Sequence, residues 1–276
     1  MAPALPRLSV VIPSYNQAVF LGRTLESVVG QHYPDLEIIV MDGGSTDDSL
    51  AVIDRYRHQI AHVSSGPDGG QSCAIADGFA RATGDFVSWL NSDDTYEPGA
   101  LMAIGTFLRD HAGVDFVYGD TNIIDADDRV IAHKRSIRFN LGVMRYAFLT
   151  VPQMSAFWSR RLYEEVGGID RTLRFCMDYD LFVRMAMRAP PVRIARTIGS
   201  FRVHGSSKTS TLEHVRQLED RLVHDRYCPV KPSAPRAFLL RRRFYQAVMI
   251  GLMMANGSIV DRVRSRLTNR FKSQCS

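Results

Sequence analysis

The chain has 276 residues, of which 45% are hydrophobic and 23% charged, a composition typical of a globular protein with a full core. Its four cysteines are far apart and form no CxxC pair, which argues against a zinc cluster or a disulfide framework and favours a reducing, cytoplasmic setting. The formal net charge of +5 belongs to residues 236–276, which carry +8 by themselves, so it is poor evidence for nucleic-acid binding and we expect no nucleic-acid partner.

Short β-branched runs alternate with helix-length segments in the first 111 residues. The runs that predict buried strands are Leu8–Ile12, Leu36–Met41, Ile60–Ser64 and Asp85–Leu90. The segments with helical spacing are Phe20–Gly30, Thr46–Arg57, Gly70–Ala82 and Pro98–His111. Repeated βα units of this kind predict an α/β fold, a Rossmann-like, mainly parallel sheet with helices on both faces.

The pattern changes after a further strand at Val114–Tyr118. The later predicted elements are a hairpin of Thr121–Asp125 and Arg129–Arg135, helices at Arg160–Val166, Met177–Met187 and Glu213–Tyr227, a strand at Val192–Ile198 and a loop at Phe201–Ser210. Three prolines between Pro229 and Pro235 predict a linker. We therefore divide the chain into a domain at 1–228, a linker at 229–235 and a basic amphipathic helical tail at 236–276.

Carboxylates follow several of the predicted strands. Ligands of open α/β sheets bind beyond the carboxyl ends of the strands, where the loops after consecutive parallel strands converge. Asp42 follows the second strand, Asp68 the third, and Asn91, Asp93 and Asp94 the fourth. One aspartate there could cap a helix, but two together also suit Mg²⁺ or Mn²⁺, which bind through one or two carboxylates plus substrate phosphates.

The residues alone leave other roles open for Asp42 and Asp68. Asp42 could start the turn that Gly43 and Gly44 permit, or accept a hydrogen bond from a ligand, and turn chemistry alone would account for Asp68. The chain has neither a GxxxxGK[ST] loop nor a GxGxxG after the first strand, so the P-loop and dinucleotide fingerprints are absent.

Four motifs in order resemble the family 2 inverting glycosyltransferases of the GT-A fold. They are VVIPSYN at Val10–Asn16, MDGGSTDDS at Met41–Ser49, ATGDFVSWLNSDD at Ala82–Asp94 and MDYDLFVRM at Met177–Met185. The resemblance covers about Leu8–Thr211 and does not include the tail. It implies transfer of a sugar from a nucleotide-sugar, with UDP as the expected nucleotide.

The resemblance also implies a role for each matching position. Donor-binding positions are Pro13, Tyr15, Asn16, Asp42 (to the uracil ring), Asp68, Asn91 and Asp93. Asp94 is the implied direct ligand of a divalent metal, Mn²⁺ or Mg²⁺, with Asp93 nearer the ribose and inner shell and His204 as a third metal-side residue. Gln153, Trp158 and Gly168 match the acceptor side.

Asp178 matches the catalytic base, which takes the proton of the acceptor hydroxyl. A helix N-terminal role is the alternative for Asp178, and Asp180 is a rival on the same turn. A lone loop histidine such as His204 is often only a hydrogen-bonding group.

One segment departs from the family. Where many members have Asp, Asn and Lys in the helix after the GGQS turn, this chain has Cys73, Ala76 and Asp77. A degenerate domain that binds nucleotide sugar or glycan without turnover is therefore the alternative to an enzyme.

The tail has two interpretations. Arg241, Arg242 and Arg243 lie among aromatic and aliphatic residues, so the tail either meets anionic lipid or packs on the domain or on a second copy in a homodimer. With no signal-length apolar leader and no apolar run near the roughly 20 residues that span a bilayer, we expect a protein of the cytoplasm, peripheral to the inner face of the plasma membrane. The acceptor expected from the resemblance is a saccharide or polyprenyl-linked saccharide for surface polysaccharide or cell-envelope glycan.

Overall fold

The strand-forming runs assemble into one sheet in a computed structural model, which describes residues 4–205, 207, 208 and 212–258. The strands are β1 Leu8–Ser14, β2 Leu36–Asp42, β3 His62–Ser65, β4 Phe86–Trp89, β5 Thr95–Tyr96, β6 Phe116–Ile124, β7 Val130–Lys134, β8 Ala156–Ser159 and β9 Val192–Arg202. The helices are α1 Ala18–Val29, α2 Ser49–Arg55, α3 Gln71–Phe79, α4 Ala100–Asp110, α5 Leu141–Tyr146, α6 Arg160–Glu165, α7 Met177–Arg188, α8 Glu213–Tyr227 and α9 Pro235–Ala255.

The strand order is β3-β2-β1-β4-β8-β6-β9-β5, and β7 pairs with the C-terminal residues of β6, from Thr121 to Ile124. Strands β1 to β4 are parallel to one another where they pair, which confirms the βα units predicted from the sequence. β8 is antiparallel to both of its neighbours, and β6 and β9 are parallel. The parallel half therefore directs four strand-end loops to one edge.

Side chains of the parallel strands alternate between two hydrophobic layers. Val10 and Ile12 of β1 pack in the layer that includes α1 and α4 residues, whereas Val11 packs in the layer that includes α3 and α7 residues. Both layers are needed because a buried parallel strand exposes alternate residues to opposite faces. The predicted α/β fold with helices on both faces is confirmed.

The second half of the chain differs from the sequence prediction in three elements. β8 and α5 were not predicted, and β9 continues to Arg202, so Phe201 and Arg202 lie in a strand rather than a loop. All four residues of β8 are buried, and such a short apolar run has no alternating pattern that would identify a strand.

Strand β6 passes β9 very closely at Gly119. The register of the β6–β9 pair shifts between Tyr118 and Asp120, and a Cβ at Gly119 would lie 2.4 Å from Ile198 Cγ1 and 2.5 Å from the carbonyl oxygen of Arg196. Only glycine fits there without movement of the backbone.

Helix α9, which begins the predicted tail, packs on α5. Its buried face includes Phe238 and Met253, and Tyr245 stacks on Tyr146 with ring centroids 5.3 Å apart. The part of the tail up to residue 258 therefore packs on the domain. The domain boundaries at 228 and 235 stay a prediction. Residues 259–276 lie outside the described part.

None of the helices within residues 4–205, 207, 208 and 212–258 has the length and hydrophobicity needed to cross a membrane.

Gly119→Ala tests the close contact between β6 and β9. We expect it to reduce the free energy of unfolding by about 1–3 kcal/mol, because the added methyl group overpacks the strand pair. Gly251→Ala is the matched control: its Cβ meets nothing within 4 Å in helix α9, so the change is expected to be neutral or slightly stabilising. Urea unfolding of both variants measures this, and equal stability of the two would contradict the expectation.

Candidate active site

A cleft of about 1020 Å³ opens at the carboxyl edge of the parallel strands. Residues from all four strand-end loops line it, as the strand order predicts. They are Pro13 and Ser14 at the end of β1, Tyr15 after β1, Gly43 after β2, Asp68 after β3, and Asn91 and Asp93 after β4. The cleft is large enough for a nucleotide-sized ligand.

Asp42 is buried behind the cleft and does not line it. Its Oδ2 accepts hydrogen bonds from the backbone N–H groups of Gly44 (3.1 Å) and Ser45 (2.9 Å) and from the Ser65 hydroxyl (2.7 Å). Its Oδ1 accepts from the Ser45 hydroxyl. Both carboxylate oxygens thus hold the loop after β2, which is the turn role that the sequence left open, and the adjacent Gly43 faces the cleft instead.

Of the other donor-side positions, some line the cleft and others hold the loops behind it. Asp68 lines the cleft and accepts from the backbone N–H of Gly70 at 2.7 Å. Tyr15 lines it with 60% of its surface exposed. Asn16 does not line it: in left-handed backbone conformation at φ +51°, it accepts from the Thr46 backbone N–H at 2.8 Å.

The neighbouring carboxylates Asp93 and Asp94 have different surroundings. Asp93 lines the cleft, and its Oδ2 lies 3.0 Å from Nε2 of His204. Asp94 is fully buried, and its carboxylate accepts from the Arg202 backbone N–H (2.9 Å) and from the Asn91 amide (3.2 Å). Burial, followed by the charge of Asp93, raises the pKa of Asp94 well above its ordinary value. Asp94 therefore does not line the cleft, and its expected role as the direct metal ligand stays a prediction.

The turn that carries both aspartates is held by Arg202 at the end of β9. The side chain of Arg202 is 0% exposed. Its Nε donates to the carbonyl of Asp93 at 2.7 Å, and its Nη atoms donate to the carbonyl of Asp125 (2.9 Å) and to Asp128 Oδ1 (2.5 Å). The guanidinium also lies 4.9 Å from the centre of the Phe20 ring. This places the Asp93 side chain at the rim of the cleft.

The two candidates for the base, Asp178 and Asp180, have different surroundings. Asp180 is 1% exposed and is bound by Arg184 (2.6 Å), Arg226 (2.9 Å) and the Tyr227 hydroxyl (2.7 Å). Asp178 lines the cleft at the first turn of α7. Burial raises the pKa of Asp178 to about 6, and the nearby Asp220 and Glu219 add to the rise. A carboxyl group with such a pKa is suited to proton transfer near neutral pH.

The three acceptor-side positions do not share one surface. Gln153 lines the cleft. Trp158 is 0% exposed, packs among Phe79, Trp89 and Phe182 in the core and does not line the cleft, so its expected place near the sugar stays a prediction. Gly168 lies in the turn after α6, at φ +71° beside Tyr163, and does not line the cleft.

A chain of hydrogen bonds runs along the cleft from Lys208 through the side-chain amides of three other residues. The sequence analysis did not predict this chain. Lys208 Nζ donates to Gln71 Oε1 (2.6 Å), the Gln71 amide donates to Asn91 Oδ1 (2.8 Å), and the Asn91 amide lies 3.3 Å from Gln153 Oε1. Gln153 in turn donates to the carbonyl of Trp89 at 2.5 Å. The residues come from four separate segments, so no local pattern could reveal this chain of hydrogen bonds.

Cations at the cleft were also missed. Arg171, Arg174 and Lys208 line it. Arg171 pairs with Asp77 at 2.5 Å, the residue that stands where many family members have lysine. Burial, followed by the charge of Arg174, lowers the pKa of Lys208. The positive charge at the cleft therefore comes from segments other than α3.

A metal site of three or more protein side chains is not present: among residues 4–205, 207, 208 and 212–258, no cluster of three His, Cys, Asp or Glu side chains could hold an ion. Asp93 and His204 do form a pair of suitable atoms at the cleft. Mg²⁺ and Mn²⁺ commonly use one or two carboxylates and take their other ligands from substrate phosphates and water. The donor set therefore fits such an ion when a diphosphate is bound.

Comparison with solved structures agrees with this fold. S. aureus TarS 1–349 in complex with UDP-GlcNAc has a TM-score of 0.66 at 17% sequence identity, over 87% of this chain and 72% of that one. A mannosyltransferase from Pyrobaculum calidifontis, in complex with GDP-Man and Mn²⁺, has a TM-score of 0.64 at 17% identity, over 98% of this chain and 81% of that one. The sheet is thus of the GT-A type.

Sequence comparison identifies the family. An uncharacterized glycosyltransferase of Mycobacterium tuberculosis is 29% identical over 249 residues, covering 87% of this chain and 92% of the relative. A glycosyltransferase of the same species, described as acting in PGL/p-HBAD biosynthesis, is 28% identical over 190 residues, covering 66% of this chain and 70% of the relative. The family model described as "Glycosyl transferase family 2" matches residues 9–166. The chain therefore belongs to glycosyltransferase family 2 and is an enzyme that transfers a sugar.

Proposed function

We propose that the chain is a divalent-metal-dependent, inverting transferase that moves a hexose from a UDP-sugar to a saccharide or lipid-linked saccharide of the cell envelope. The observation that carries this proposal is that Asp93 and Asp178 line one cleft while their neighbours Asp94 and Asp180 are buried in hydrogen-bond networks. One carboxylate is thereby available for the donor end and another for proton transfer, which favours turnover over a domain that only binds.

Asp178 acts as the general base in this proposal. It takes the proton from the acceptor hydroxyl while the hydroxyl oxygen forms a bond to the anomeric carbon of the donor. The bond from that carbon to the nucleoside diphosphate breaks as the new bond forms, and the configuration inverts. The surroundings of Asp178 hold its pKa near 6, so it is ionised at neutral pH yet basic enough to accept a proton.

Asp93 and His204 are the residues proposed to hold Mn²⁺ or Mg²⁺, with Asp94 as the buried support of the turn instead of a direct ligand. A bound divalent ion would supply charge stabilisation for the departing diphosphate. Arg171, Arg174 and Lys208 add positive charge along the same cleft. These cations suit a leaving group with several negative oxygens.

Solved relatives support the donor class. The titles of the two structures compared above name UDP-GlcNAc for TarS and GDP-Man with Mn²⁺ for the mannosyltransferase. Both ligands are nucleoside-diphosphate sugars, so a screen of nucleotide sugars has to identify the nucleobase of the donor.

The outward face of α9 is proposed to contact an anionic membrane surface. Arg236, Leu240, Arg243, Ile250 and Met254 all lie on the side of α9 turned away from α5 and are exposed. Helix α9 contains no Asp or Glu. A basic and apolar helix face of this kind binds at the boundary between headgroups and acyl chains.

The donor and metal assignments predict different effects for the adjacent aspartates. In a thermal-shift screen of nucleotide sugars with Mn²⁺, we expect a UDP-sugar to raise the Tm of the wild-type chain. Asp93→Ala should abolish the part of the shift that depends on Mn²⁺, because it removes a proposed ligand. Asp94→Asn, the matched control, should keep it. Loss with Asp94→Asn and retention with Asp93→Ala would return the ligand role to Asp94.

Asp178→Asn should retain donor binding and reduce transfer by about 10²–10⁴-fold, the usual contribution of a general base. In the wild type, transfer should fall as the pH decreases through about 6, because protonated Asp178 cannot act as a base. Asp180→Asn is unsuitable as a control, since it breaks a buried ion pair; Asp54→Asn, exposed on helix α2 and outside the cleft, is preferable. Transfer by Asp178→Asn at the wild-type rate would assign the base elsewhere.

The same pKa predicts how stability changes with pH. Because the folded-state pKa of Asp178 lies above the ordinary value of 3.8, its contribution to stability is full below pH 3.8 and is lost as pH rises through about 6. Asp178→Asn removes the cost of the buried charge. We expect the variant to have a higher Tm than the wild type at pH 8 and an equal Tm near pH 3.5, measured by circular dichroism.

Membrane contact is tested by flotation with vesicles of anionic lipid. Arg236→Glu/Arg243→Glu reverses two charges on the outward face of α9 and should reduce flotation, whereas Arg55→Glu/Arg57→Glu, far along the chain near α2, should not. Equal flotation of the wild type and the α9 variant would contradict a lipid-binding face.

A further inference from the structure

A second cavity of about 410 Å³ meets the donor cleft at the proposed base. Asp178 and Phe175 line both spaces, so they form the boundary between them. A hydroxyl group that enters from the second cavity therefore reaches Asp178 without crossing the donor cleft. Its volume is within the range of small-molecule sites.

One wall of this second cavity is apolar and includes aromatic surface. Ala147, Phe148 and Leu149 follow α5 and line the cavity together with Phe175. Phe148 keeps 44% of its surface exposed, although it is a large hydrophobic residue. Exposed aromatic surface in a concave site is typical of ligand binding and suits the C–H face of a sugar ring.

The charged groups of the second cavity are mostly paired with one another. Arg216 binds Asp220 at 2.9 Å. His224 also lines the cavity, and its burial lowers its pKa and so favours its neutral form.

Arg242 of helix α9 also lines the cavity but, unlike Arg216, forms no ion pair with a carboxylate of the described residues. Its side chain is exposed, and within the described ranges of the chain no carboxylate lies within ion-pairing distance of it. A guanidinium in this position can bind a phosphate or carboxylate through two parallel hydrogen bonds.

We propose that the second cavity binds the acceptor, and that Arg242 binds an anionic group carried by the acceptor next to its sugar. The sugar rests on the wall formed by Phe148 and Phe175, and its hydroxyl points to Asp178. Helix α9 is then part of the acceptor site as well as a surface element. This inference rests on the proposed function and adds the class of acceptor to it.

The run Arg241, Arg242 and Arg243 provides matched variants, since only the central residue lines the cavity. Transfer is measured with the donor found in the screen and with three decyl-linked monosaccharide acceptors. One carries a diphosphate link, one has a glucuronic acid in place of the neutral sugar, and one is an uncharged glycoside. The first two distinguish a phosphate from a carboxylate as the source of the anion.

We expect the wild type to prefer an anionic acceptor, with Arg242→Ala raising the KM for it by about 10-fold or more, as loss of a charge-assisted contact commonly does. The KM for the donor and the rate with the uncharged glycoside should stay unchanged. Arg241→Ala removes the same charge from an exposed residue that does not line the cavity and should change the acceptor KM less than 2-fold, an estimate for a surface charge.

Three outcomes would overturn the inference. They are equal effects of Arg242→Ala and Arg241→Ala, no preference of the wild type for either anionic acceptor, and continued donor hydrolysis without transfer to any of the three acceptors. Absence of both donor binding and donor hydrolysis would instead contradict the proposed function itself.

Discussion

The buried guanidinium of Arg202 is the constraint on which the donor end of the site depends. A charge removed from water is tolerated only if its donors are satisfied, and Arg202 meets this condition with carbonyl oxygens, a carboxylate and an aromatic face. Because one of those carbonyls belongs to Asp93, satisfying the arginine also fixes the turn after β4. The end of β9 thus sets the position of a side chain more than 100 residues earlier in the sequence.

The antiparallel strand β8 in the middle of the sheet also positions residues of the cleft. β8 separates β4 from β6, so the turn after β4 meets the 3₁₀ turn Gln153–Ser155 directly before β8. This arrangement lets the Gln153 amide reach the Trp89 carbonyl and the Asn91 side chain. A wholly parallel order would not bring that segment to the cleft.

The N-terminal βα units and the convergence of their loops could be predicted from the sequence, because strand periodicity and loop order are local signals. The burial of individual carboxylates could not. Asp42 ends β2 and Asp93 lies in the loop after β4, yet only Asp93 lines the cleft, and the difference depends on Ser65 and Arg202 from distant segments. Trp158 shows the same limit: the resemblance implied an acceptor-side position, whereas in the structure it lies in β8 and packs against Phe79, Trp89 and Phe182 in the core.

The unequal burial of Asp93 and Asp94 has an electrostatic consequence for the cleft. Two adjacent aspartates suggest a doubly negative rim that would repel a diphosphate. Burial raises the pKa of Asp94, and its carboxylate oxygens accept from the Arg202 backbone N–H and the Asn91 amide instead of lining the cleft. The acidic residues that line the cleft are Asp68, Asp93 and Asp178, and the basic ones are Arg171, Arg174 and Lys208, so a divalent cation bound there would add to the attraction for an anionic donor.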